Sequence, residues 1–81
     1  MAPEAVIRYA RSNPGRVVAL RVLDFRGAQH HLALKWEGGG VRFFVRPWGE
    51  WTEPQSEPRA LEVMRGWRIQ EVRLEGEDGA R

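Results

Sequence analysis

The chain has 81 residues, no cysteine, 42% hydrophobic and 30% charged residues, and a formal net charge of +2. A chain this short hides only about 60–65% of the surface it exposes when unfolded, so one domain with a thin core is expected, and without cysteine no disulfide or thiolate metal site can reinforce it. No window approaches the roughly 18 consecutive apolar residues of a membrane span, and the N-terminus lacks a signal-peptide pattern, so the expectation is a cytoplasmic protein with no membrane partner.

Twelve of the thirteen basic residues are Arg, and there is a single Asn. This bias suggests a GC-rich genome, and the scarcity of thermolabile residues suggests a thermophile. The charge is uneven. Arg8 to Arg46 holds eight basic residues against Asp24 and Glu37, a net of +6, whereas Pro47 to Arg81 has a net of −3. Such asymmetry fits an anion-binding face, or two halves that attract each other within or between chains.

Residues 3–12 read as a first helix. Pro3 suits the first helical turn and Glu4 complements the helix dipole there. Val6, Tyr9, Ala10 and Asn13 share a stripe with Ile7 at its margin, and Asn13-Pro14-Gly15 ends the element. Arg16 to Arg26 reads as a first strand. Val18, Leu20 and Val22 lie on one face, and Val17, Ala19, Leu23 and Phe25 on the other, interrupted by Arg21. Apolar residues on both faces predict a central strand or one covered on its second side.

Residues 29–51 hold three of the four tryptophans and two of the three phenylalanines. They read as two strands joined at Gly38-Gly39-Gly40, where glycine permits the positive φ of a tight reversal. By parity, His30, Leu32, Leu34 and Trp36 face the core, whereas His31, Ala33, Lys35 and Glu37 face outward. On the return strand Val41, Phe43 and Val45 face inward, and Arg42, Phe44, Arg46 and Trp48 outward. Pro47 should bend or end the strand, and Pro47 to Trp51 reads as a turn.

A polar connection with two prolines follows. A second helix starts at Ser56 or Glu57, with Pro58 in its first turn, and ends near Arg65 with Gly66 as its cap. Trp67 to Glu75 reads as a last, edge strand. Its apolar parity changes at Gln70-Glu71, which predicts a β-bulge, and its charges discourage edge-to-edge aggregation. Residues 76–81 read as a frayed tail. The fold expected for residues 1–81 is a single α+β domain of order α-β-β-β-α-β, an antiparallel meander sheet with helices packed on one face. Its first five elements follow the order seen in double-stranded-RNA-binding domains. Those domains carry a basic second-helix N-terminus, whereas Ser56-Glu57-Pro58-Arg59 is partly acidic, so no family is assigned.

No catalytic constellation is visible. Ser12, Thr52 and Ser56 are the only aliphatic hydroxyls, and no base and orienting acid accompany them in a recognisable pattern. His30 and His31, adjacent on a strand, point to opposite faces and do not chelate one metal. A non-enzymatic binding module without cofactor or metal is therefore expected. Its surface is the outward sheet face of Arg42, Phe44, Arg46 and Trp48, with Arg21, His31 and Lys35. Alternating guanidinium groups and rings suit RNA or single-stranded DNA, since cations meet phosphates and rings stack on bases. The alternative is a protein-interaction or homodimeric module using the same face, which strand one makes partly apolar.

Overall fold

The computed structural model describes residues 1–45 and 49–75. Helix α1 covers Pro3–Arg11. Pro at its start and Glu4 in its first turn favour that end, and Ser12 closes the other, its N–H donating to the Arg8 carbonyl and the Asn13 N–H to the Ala10 carbonyl, each at 3.0 Å. Asn13 Nδ2 donates to the Tyr9 carbonyl, 2.9 Å away. Gly15, at φ 79°, then turns the chain, and its N–H reaches the Trp36 carbonyl at 2.8 Å. The buried stripe is Val6, Ile7 and Ala10. Ile7 lies inside rather than at the margin, and Tyr9 is rotated out to an exposed flank.

The strands are β1 Val18–Leu23, β2 Gln29–Glu37, β3 Gly40–Val45, β4 Glu50–Trp51 and β5 Arg68–Leu74; helix α2, Glu57–Val63, precedes β5. They form one sheet of order β4-β3-β2-β1-β5 with every neighbouring pair antiparallel. The chain is thus an α+β domain in which β1 to β4 form the meander and α2 carries the chain across one face to place β5 beside β1. No helix among the described residues is long and apolar enough to cross a membrane.

The hairpin between β2 and β3 closes at Glu37 and Gly40. Gly38 and Gly39 both adopt positive φ, the two-residue turn that matches strand twist. Gly40 has a different reason to be glycine. A Cβ there would stand 2.5 Å from the Gln55 carbonyl oxygen, because the chain after β4 runs back along β3 and exchanges two hydrogen bonds between Val41 and Gln55. Strand β4 lies where the sequence predicts only a turn over residues 47–51. Phe44 pairs with Trp51 and Val45 with Glu50, and a pair this short leaves no periodicity to read.

The core lies between the helices and one sheet face. Val18, Leu20, Val22, Leu34 and Val41 meet Val6, Ile7 and Ala10 of α1 and Ala60 of α2, with Met64 just beyond. These strand residues follow the predicted parity. His30 shares that parity but lies beyond the cover of the helices and is exposed. There its Nε2 sits 2.9 Å from Asp24 Oδ2. The predicted bulge on the last strand is present. Register shifts so that Arg21 faces Glu71 while Val22 faces Ile69. The extra residue, Gln70, lets Ile69, Val72 and Leu74 all turn toward the core side. Ser56 caps α2, accepting from the Arg59 N–H at 3.3 Å, and Gly66 at φ 84° ends that turn.

Candidate binding face

The opposite sheet face carries no helix among the described residues, and its composition follows from strand pairing. Arg73 lies opposite Ala19, Ala19 opposite Ala33, and Phe44 opposite Trp51. The β2–β3 ladder ends at Leu34 and Phe43, so Ala33 and Phe44 are not paired, although both line one cleft. A row of side chains therefore crosses the sheet, with a guanidinium at one end, two methyl groups in the middle and two rings at the other. A second row alongside contains Glu71, Arg21 and His31. On the other flank Lys35 lies opposite Arg42.

Five of the seven expected site residues thus share one face: Arg21, His31, Lys35, Arg42 and Phe44. The other two, Arg46 and Trp48, lie outside the described residues. Three contributors were not anticipated. Trp51 is one, on a strand of only two residues. Arg73 and Glu37 are the others, and nothing in their local sequence sets them apart from other surface charges.

Arg21, Lys35 and Arg42 are held rather than loose. Arg42 donates from Nε to the Thr52 carbonyl and from Nη1 to Glu37 Oε1, each at 2.7 Å. Lys35 Nζ lies 3.3 Å from the same carboxylate oxygen and 4.4 Å from the centre of the Trp51 ring. Hydrogen bonds from Lys35 first and Arg42 second hold the Glu37 carboxyl below its ordinary pKa of 4.5. The Trp51 ring meets Phe44 edge to face at 5.2 Å, an arrangement that sets negative ring face against positive ring edge. Across the sheet, Arg21 Nε stands 3.3 Å from Glu71 Oε1. Arg21, His31, Glu71 and Arg73 surround a hollow of about 110 Å³ floored by Ala19 and Leu20.

Chemically, this face offers ring surface, cations paired with carboxylates along each flank and the small side chains of Ala19 and Ala33 between them. The pre-set ion pairs fix the long side chains in place, which reduces the entropy lost when a ligand orders them. No family model matches the chain, and neither a curated protein nor a solved structure matches it.

Proposed function

We propose that this is a cytoplasmic, non-catalytic binding module that holds single-stranded nucleic acid, RNA or DNA, across its open sheet face. One observation carries the reading: the ring pair Phe44 and Trp51 and the cations Arg21, Arg73, Lys35 and Arg42 lie on one sheet face, around the small side chains of Ala19 and Ala33. Rings at one end supply stacking surface, typically about 1–3 kcal/mol per base. Cations along the flanks supply the salt-dependent attraction of phosphates. The small alanine side chains leave room for the sugar-phosphate chain between them.

Intrinsic tryptophan fluorescence tests this directly. Titration with a single-stranded oligonucleotide at low salt should quench it, and the effect should fade as salt rises. Arg21→Ala combined with Arg42→Ala should abolish binding while circular dichroism stays native. Silence in the wild-type titration at low salt would reject the reading.

A second reading has its own support. Glu37 already holds Lys35 and Arg42, and Glu71 holds Arg21. A face with its charges paired and its middle apolar also suits a protein interface, including one with a second copy. In that case Phe44→Glu should dissociate the complex, and oligonucleotides should have no effect.

A further inference from the structure

We propose that the free edge of β5 pairs with β5 of a second copy, joining two sheets about a two-fold axis centred on Val72. This edge borders the open face and shares Glu71 and Arg73 with it, but the inference does not rest on the nucleic-acid reading.

Among the described residues, β5 has a strand neighbour only on the β1 side. The Glu75 N–H donates to the Val17 carbonyl at 2.8 Å. Backbone groups alternate in direction along an antiparallel strand. Glu71 and Arg73 therefore turn their backbone polar groups toward β1, and Val72 and Leu74 turn theirs to the free edge. Beyond the bulge, the Ile69 carbonyl also faces out, where it accepts from the Met1 amine at 3.2 Å. An outward pair of N–H and C=O groups at Val72 is a template for another strand.

The side chains say which strand. Glu71 and Arg73 flank Val72 on the open face, and both are exposed. Antiparallel pairing of Val72 with the partner's Val72 puts Arg73 opposite the partner's Glu71, and Glu71 opposite the partner's Arg73. Shifting the axis by one residue, onto Arg73, sets Arg73 against itself and Glu71 against the partner's Glu75. The charges therefore accept one register and reject its neighbour, which is how like and unlike pairs specify strand alignment. Glu71 keeps its bond to Arg21, because a carboxylate has acceptor capacity for both partners.

The helix side agrees. A groove of about 320 Å³ lies over this edge, lined by Met1, Ala5, Tyr9 and Val72. Ala5 and Tyr9 stand four residues apart on one flank of α1, and Met1, just before the helix, extends that lining. Met1 is 65% and Tyr9 37% exposed. The two-fold axis brings this flank against its own copy and covers both Val72 side chains. The contact is thus isologous and closes at two chains.

Sedimentation of the intact protein tests it. The wild type should run at twice the protomer mass of 9.3 kDa. Arg73→Glu turns both cross-strand pairs repulsive and should weaken the dimer roughly 10–100-fold. Glu71→Arg should do the same, and the double reversal Glu71→Arg with Arg73→Glu should restore the dimer. Val72→Pro removes an N–H that points away from β1, so it should give a folded monomer by circular dichroism. A wild-type monomer at high micromolar concentration would overturn the proposal. So would a dimer indifferent to these changes but dissociated by Phe44→Glu, which would place self-association on the open face.

Discussion

Glu37→Gln is the substitution that discriminates most sharply among uses of the open face. Its carboxylate oxygen Oε1 accepts from Arg42 Nη1 at 2.7 Å and lies 3.3 Å from Lys35 Nζ. The amide keeps an acceptor oxygen but removes one negative charge, so the cluster of Lys35, Arg42 and residue 37 gains one net positive charge and can neutralise one further phosphate. On single strands each neutralised phosphate adds about −0.7 to the slope of log K against log salt. Between 50 and 200 mM salt, roughly 0.6 of a decade, that is a further loss of about two- to threefold. The variant should bind an oligonucleotide about two- to threefold more tightly than wild type at 50 mM and converge with it at high salt. The measurement is a fluorescence titration repeated at four or five salt concentrations. Glu62→Gln makes the same charge change on α2, where Glu62 pairs with Arg59 at 3.6 Å, and should leave the slope alone. An unchanged slope and affinity in Glu37→Gln would mean that Lys35 and Arg42 do not meet phosphate, and the nucleic-acid reading would lose its cationic flank.

Three further expectations concern the scaffold. Leu34 is fully buried at the centre of the sheet, so Leu34→Ala should cost about 2–5 kcal/mol. In a domain of this size each 1 kcal/mol lowers Tm by about 4–8 °C, which thermal melts followed by circular dichroism will read. Gly40→Ala should destabilise by about 1–3 kcal/mol or more, because its new methyl group would meet the Gln55 backbone oxygen at 2.5 Å; a neutral result would show that the 52–55 segment moves aside freely. Asp24 is held below its ordinary pKa of 3.8 by the hydrogen bond from His30 first and then by the Ala28 N–H. A depressed carboxyl contributes stability that is present above its unfolded pKa and lost as pH falls through its folded one. Melting temperature should therefore drop on acidification below about pH 4, and Asp24→Asn should flatten that limb.

Much of the architecture could be read from parity and turn chemistry. Alternation separates Val41 and Phe43 from Arg42 and Phe44, and the structure keeps that division. Gly38-Gly39 marks the hairpin, and the switch from Ile69 to Val72 marks the bulge. What could not be read depends on contacts between distant segments. Strand β4 exists because Trp51 pairs with Phe44 and Thr52 Oγ1 accepts the Phe43 N–H at 3.0 Å, neither of which leaves a local pattern. His30 has the parity of a core residue, but parity gives only the side of a sheet, whereas burial depends on how far the helices reach across it. Nor does alternation reveal that a carboxylate two residues from Lys35 on the same face also reaches Arg42 across the hairpin. The result is a face as basic as its sequence but less free in charge, which is why Glu37 rather than any arginine is the informative position.

The edge pairing and binding on the open face, if both hold, have a joint consequence that neither has alone. Joining two five-stranded sheets through β5 places the two Arg73 ends of the open faces at the centre and the two ring pairs at the outer margins. At about 4.8 Å between strands, ten strands span roughly 45 Å, so the ring pairs are too far apart to share a short oligonucleotide. The dimer would then bind two short strands independently, one per protomer face. A strand long enough to cross the whole surface would gain from effective concentration, often 10²-fold or more when its length matches the span. Affinity should therefore rise abruptly once the oligonucleotide can reach both ring pairs, and that rise should vanish in Arg73→Glu and return in the double reversal with Glu71→Arg. A smooth dependence on length that ignores these variants would separate the two proposals and leave any binding to the single protomer face.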